Sequence, residues 1–277
     1  MIEIGKYNTL RILRTTSVGL YLGDEDREDV LLPNKYCPEN YELDDDLEVF
    51  VYLDYADRKV ATNIRPPLVL HEFALLQVKE VSEVGAFMDW GLEKDLLVPF
   101  REQRMNMEEG RWYVIFLDLD EQSDRLYGSN KIEDFLENEE LEVETGDKVE
   151  VTVFRKTDLG YSVIINNFHQ GLIFENEIFK QVNIGDKLTG YIKNIREDNK
   201  IDISLQAIGY ENFNDDNATL IYKRLKDEGG TLGISDKSSP DDIYTMFGIS
   251  KKAFKRATGL LYRERKILIT PSSISLV

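Results

Sequence analysis
The sequence predicts a mainly β chain with a C-terminal α+β domain: three small β-barrels in tandem, then three helices closed by a hairpin. Three observations carry this expectation. One pattern of glycine, short strand, polar loop and second short strand occurs three times. Apolar residues alternate with a period of two until about residue 208. From 217 the period lengthens to about 3.6, the helical value.

The repeat is read directly. Residues 18–33 are VGLYLGDEDREDVLLP, residues 84–99 are VGAFMDWGLEKDLLVP and residues 159–174 are LGYSVIINNFHQGLIF. Downstream, LEVFVYLD (47–54), WYVIFLD (112–118) and LTGYIKNIR (188–196) each lead through a charged turn to a last strand, KVAT, RLYGS or KIDISL. Turn signals every 8–12 residues and β-branched or aromatic strands describe a small all-β unit. Five such strands in ~60 residues suit a closed barrel of the oligonucleotide-binding (OB) type. The expected units are 1–65, 68–130 and 146–208.

Strand parity sorts the side chains of each second strand. Ala86, Met88 and Trp90 point inward, so Phe87 points out; Leu20 and Leu22 point inward, so Tyr21 points out. In the third repeat Ser162 takes the outward place, and Tyr161 falls on the core side. An outward aromatic on a barrel strand needs a partner or a ligand. A neighbouring barrel covering Tyr21 and Phe87 is the alternative.

The connections are expected as a stiff break at Pro66-Pro67, a short acidic linker helix over 131–145 and a polar hinge at 209–217. Asn130 and Glu133 have capping-box spacing at the start of the linker helix.

The tail, 215–277, changes character. Leu220, Ile221 and Leu225 predict a first helix ended by Gly229-Gly230. Ser239, Pro240 and two acids predict the start of a second, broken at Gly248. Ser250 caps a third, with Ala253, Phe254, Ala257, Leu260 and Leu261 on one side, and KILIT-PSS-ISLV predicts a hairpin. Three helices and a two-stranded hairpin resemble a winged helix. Lys251, Lys252, Lys255 and Arg256 open the third helix, and Arg263, Arg265 and Lys266 lead into the wing. In helix-turn-helix folds that part of the helix meets nucleic acid, and lysines there contact phosphates.

Charge divides the chain unevenly. The net charge is −18 overall, with −19 over 1–145, −4 over 146–216 and +5 over 217–277. An acidic front opposes phosphate binding, whereas a basic tail favours it. Chemistry is absent from the motifs: no phosphate-loop, H-E-x-x-H or G-x-S-x-G pattern occurs, and an enzyme is not expected. His71 and His169 read as surface residues. The acidic runs 24–29 and 44–46 read as solvated loops, so neither a metal site nor a cofactor is expected. Cys37 is the only cysteine, which excludes an intramolecular disulfide. No apolar run approaches the ~18–20 residues of a membrane span, and no secretory leader is read, so a cytoplasmic location is expected.

Gly-Ala-Phe-Met, Leu-Leu-Val and the late Asp-Arg-Leu strand resemble the S1 domain, an RNA-binding repeat, most closely in the second and third units. Three such units followed by a basic helical tail resemble the conserved virulence factor B (CvfB) family of bacterial RNA-binding regulators. The resemblance implies an RNA face of aromatics on the second and third strands with a basic residue near the last. Tyr21, Phe87 and Arg125 match it in the first two units, where Leu32 and Val98 are assigned the third-strand place. In the third unit Phe174 is assigned that place, with Arg196 and Lys200 at the last turn, Lys193 upstream and Arg155 and Lys156 at the first turn. Charge weighs more than one ring in nucleic-acid affinity. The expectation is therefore single-stranded RNA binding and post-transcriptional regulation through the third barrel and the winged helix. The first two barrels would be scaffold or protein contacts. The alternatives are an acidic scaffold docking on a ribosomal or RNA-processing protein, and a winged-helix DNA-binding regulator.

Overall fold
The computed structural model describes residues 1–23, 28–178, 181–205 and 216–277. Most of the expected hinge at 209–217 and most of the acidic run at 24–29 therefore lie outside the described residues. The chain forms two compact units, Met1–Ile208 and Gly209–Val277.

The first unit holds three five-stranded β-structures. Strands β1 (Tyr7–Thr16), β2 (Gly19–Gly23), β3 (Asp29–Pro33), β4 (Asp46–Leu53) and β5 (Lys59–Thr62) close a barrel in the order β1-β2-β3-β5-β4. Strands β6 (Phe73–Val81), β7 (Gly85–Asp89), β8 (Leu96–Pro99), β9 (Trp112–Asp120) and β10 (Arg125–Ser129) repeat the order as a sheet, with β8 and β10 as its edges. Those edges lie close: a Cβ on Gly128 would sit 2.8 Å from a Val98 methyl. Strands β11 (Lys148–Thr157), β12 (Gly160–Ile165), β13 (His169–Phe174), β14 (Lys187–Ile195) and β15 (Ile201–Ser204) close the third barrel. In both closed barrels the third and fifth strands pair in parallel and the other pairs are antiparallel.

The repeated sequence has two local causes. Each first strand carries a bulge, after Ile12, Val78 and Val153, which lets one long strand bend around the barrel. Each repeated glycine begins a second strand where the third strand passes very close. A Cβ at Gly85 would lie 2.3 Å from the Val98 carbonyl oxygen, and at Gly19 and Gly160 the corresponding distance is 2.0 Å.

The barrels are not independent beads. Phe50, Tyr52 and Val60 of the first join Leu76, Met88, Trp90 and Ile115 of the second in one buried cluster, with Phe50 and Trp90 edge to face at 6.0 Å. Leu68, just after Pro66-Pro67, is fully buried in that cluster, so the expected break is part of the packing. Phe73, Val114 and Phe116 of the second barrel meet Phe154 and Ile164 of the third, and Phe116 stacks on Phe135 at 4.0 Å.

The linker helix is corrected to a single 3-10 turn, Ile132–Phe135. Tertiary contacts override its helical tendency. The Asn130 amide donates to the Val114 carbonyl instead of capping, and Glu133 is held by Arg104 and Arg155. Beyond it the chain is stapled to the third barrel. The Asn138 amide donates to the carbonyls of Gln170 and Asn199, at 2.8 and 3.0 Å. His169, expected at the surface, is buried instead. Its Nε2 accepts from the Glu142 N–H at 3.1 Å, so Nδ1 carries the proton given to the Glu137 carbonyl at 2.5 Å.

The second unit is a winged helix: α1 (Asp216–Asp227), β16 (Thr231–Leu232), α2 (Pro240–Phe247), α3 (Lys251–Arg263), β17 (Ile267–Ile269) and β18 (Ile274–Leu276). Ser239 and Ser250 accept from the backbone of Asp242 and Ala253, capping α2 and α3 as expected. Ile221, Leu225, Phe254 and Leu261 fill its core. Leu220 is exposed, and Ala218 takes the inner position one turn-face away. The short β16, not foreseen, extends the hairpin to three strands.

Candidate nucleic-acid interface
The register aligns the three predicted faces. Tyr21, Phe87 and Ser162 pair across the second and third strands with Leu31, Leu97 and Leu172. The inward residues Leu20, Leu22, Ala86 and Met88 are buried, so the parity reading of Tyr21 and Phe87 holds. Ser162 occupies the outward place but is buried, and Tyr161 packs against the core. The third-strand assignment needs correction. Leu32 and Val98 are fully buried core residues, and Gly160 pairs with Phe174 as Gly19 and Gly85 pair with Pro33 and Pro99. Prolines therefore stand where the third barrel has Phe174.

The last turns also align. Asp57, Asp124 and Asn199 all take positive φ, at 56°, 55° and 58°, a conformation that Asp and Asn tolerate better than most residues. Each is followed by a cation: Arg58, Arg125 and Lys200. Arg58 went unread in the sequence although the turn alignment contains it. Each cation has a carboxylate partner. Arg58 bonds Asp54 at 2.7 Å and Lys200 bonds Asp198 at 2.6 Å, both within their own turns. Arg125 instead forks onto Asp57 of the first barrel, holding that carboxyl below the usual range, with Lys94 adding to the effect.

Both members of this fork line a cleft of about 680 Å³ between the first two barrels. Phe87, Leu97, Tyr127, Arg101 and Arg125 line it from the second barrel, and Tyr52, Tyr55 and Asp57 from the first. The ring and the cation predicted for the second barrel thus share one cavity. Tyr127 donates to Asp118 at 2.7 Å, and burial, followed by that bond, raises its pKa. Tyr21 lies elsewhere, half-buried, with the Arg14 guanidinium 4.0 Å above its ring.

The third barrel has a smaller cleft of about 340 Å³ that brings together Arg196, Lys200, Ser162, Gln170 and Asn138. Arg196 forks onto Asp202 at 2.7 and 3.2 Å and lies 5.6 Å from the Phe174 ring centre. Lys193 is exposed on β14 and does not line this cleft. Arg155 is held by Glu133 at the contact with the second barrel, and Lys156 lies 3.8 Å from Glu175. On the winged helix Lys252, Lys255, Arg256 and Arg263 are exposed along α3, whereas Lys251 donates to the Ser238 carbonyl at 2.8 Å. Among the described residues no cluster of three or more His, Cys, Asp or Glu could hold a metal, and no helix is long and apolar enough to cross a membrane.

Comparison with known proteins bears on both units. Residues 219–276 match the family model of the CvfB-like winged helix domain, and residues 4–63 match that of the S1 domain. The S1 match falls on the first barrel, whose sequence resemblance to S1 was the least marked. The uncharacterized protein YitL of Bacillus subtilis (strain 168) is 30% identical over 282 residues, spanning 95% of this chain and 90% of its own. Conserved virulence factor B of Staphylococcus aureus (strain USA300) is 26% identical over 247 residues, 84% of this chain and 82% of its own. A crystal structure of a multidomain protein with nucleic acid binding domains from Streptococcus pneumoniae covers 99% of this chain and 98% of its own, at 23% identity and a TM-score of 0.48.

Proposed function
Because the chain belongs to the family that holds conserved virulence factor B and YitL, we propose that it binds single-stranded RNA and acts as a cytoplasmic post-transcriptional regulator. The observation that carries this reading is the cleft that joins Phe87 to Arg125. Single-stranded bases stack on aromatic rings while cations track the phosphates, and the stacking tolerates any base. Supporting phosphate contacts come from Arg196 and Lys200 on the third barrel and from Lys252, Lys255, Arg256 and Arg263 on α3. No enzymatic step is assigned.

The geometry shifts weight toward the second barrel. Counting charge along the sequence favours the third, but Arg196 and Lys200 face Asp202 and Asp198 just as Arg125 faces Asp57, so pairing does not separate the two barrels. The second barrel sets an outward ring, Phe87, in one cleft with its cation, whereas the third has the buried Ser162 at that place. The test is binding of a labelled single-stranded RNA by the whole chain across a salt series, with duplex DNA as competitor. Phe87→Ala should weaken binding by about fivefold or more, a stacked base's worth. It should cost more than alanine at Lys193, Arg196 and Lys200 together. The reverse order would return the principal site to the third barrel. Absence of RNA binding at low salt would favour the second reading, a protein scaffold, which the net charge of −19 over 1–145 supports.

A further inference from the structure
The turn between β4 and β5 carries an aromatic that the first barrel does not use. Tyr55 is 75% exposed, yet it lines the cleft of the second barrel. Its backbone is set by a tight turn: the Asp54 carboxylate accepts from the N–H groups of Ala56 and Arg58 at 2.8 and 3.0 Å. Its hydroxyl donates to the Glu93 carbonyl in the β7–β8 loop at 2.7 Å. Lys94 of that loop donates to the Asp54 carbonyl at 2.8 Å, and Lys35 of the first barrel pairs with Glu93. The ring is thus fixed at both ends by two different barrels while most of its surface remains bare.

A bare, immobilised ring is what a stacking platform requires, because little ordering entropy remains to be lost on binding. Position in the repeat sharpens the point. Counted from the aligned Asp57, Asp124 and Asn199, the equivalent residues of the second and third last turns are Gln122 and Glu197. Among these three turns the ring occurs only in the one that faces a neighbouring barrel's cleft.

Resting on the RNA-binding reading above, we propose that the site of the second barrel is a composite of two barrels, in which Tyr55 supplies a second stacking surface beside Phe87 for an unpaired base. The first barrel is then part of the binding site, and the second barrel alone holds an incomplete one.

The experiment measures the anisotropy of a labelled short oligouridylate with the whole chain and with Tyr55→Ala and Tyr55→Phe. Tyr55→Ala should weaken binding about fivefold or more. Tyr55→Phe keeps the ring and removes only the bond to Glu93, so its affinity should stay within about twofold of the parent's. Parental affinity in Tyr55→Ala overturns the composite site and leaves the RNA reading intact. An equal loss in both variants also overturns it, because the bond between barrels would then be what matters. If the parent does not bind the oligouridylate, the RNA reading itself falls, and that result is read from the parent alone.

Discussion

Asp57→Asn tests the cleft most directly. In the structure the Asp57 carboxylate takes the Arg125 guanidinium and lies 3.6 Å from the Lys94 ammonium. On the proposed RNA-binding reading it holds the place that a phosphate would take. The cleft lining sets Lys94, Arg101 and Arg125 against Asp57, Glu80, Asp95 and Asp120, a formal balance of −1 that the substitution brings to zero. Asparagine is the right replacement because it accepts the positive φ of 56° as readily as aspartate. The fold should tolerate it: the paired side chains are 61% and 42% exposed, and ion pairs that open to water contribute little to stability. Freed from its partner, Arg125 neutralises one more phosphate. For a single strand each such contact steepens the dependence of log K on log salt by about 0.7. Over a fourfold range of salt, the variant's affinity should fall about 2.6-fold more than the parent's, with tighter binding at the low end. Anisotropy titrations at several salt concentrations measure both slopes. Equal slopes with equal affinities, or weaker binding by Asp57→Asn, would refute the idea that this carboxylate competes with the ligand.

Two further outcomes concern the scaffold. Gly85→Ala places a Cβ 2.3 Å from the Val98 carbonyl oxygen at a φ of 150°, so the β7–β8 pair must open, at a cost on the order of 2 kcal/mol. Thermal melting should show a clear drop, and an unchanged melting temperature would contradict the close approach. At Glu133, burial acts to raise the pKa, but a backbone hydrogen bond and then Arg104 and Arg155 leave it below the ordinary value. Its contribution to stability is therefore present above the ordinary carboxylate pKa and is lost as pH falls through the lower folded value. Glu133→Gln should melt below the parent at neutral pH, and the gap should close below pH of about 4. Parallel melting curves down to pH of about 3 would show that the two arginines do not depend on this charge.

Local features were legible in the sequence because strand parity and helix caps are set by neighbours in the chain. Phe87 over Met88, the glycine at each second strand and the serines before α2 and α3 all follow from spacing alone. Features that depend on distant partners were not legible. Arg125 and Asp57 are 68 residues apart, and nothing local says which carboxylate a turn arginine will find. Charge counted over a window likewise treats Arg196 as available, whereas Asp202 already holds it. The acidic linker reads as a helix because its tendency is helical, and contacts with both the second and the third barrels pull it straight. Tyr55, Arg58 and the prolines at the end of the third strand were within reach: aligning the repeats by their last turns and strand ends, not only by their glycines, would have found them.

The stapled linker also determines where this molecule can be cut. A fragment started at 146, the first residue of the expected third unit, would discard Glu137, Asn138 and Glu142. His169 would then lose both of its partners, and the carbonyls of Gln170 and Asn199 would lose the amide that caps them. Val143, which is buried in the barrel's core, would go too, with Leu141 beside it. Such a piece would expose apolar and polar interior at once, and any binding defect it showed would report damage to the barrel's floor, not the absence of the acidic half. Dissection of the chain should keep everything from Leu136 onward with the third barrel.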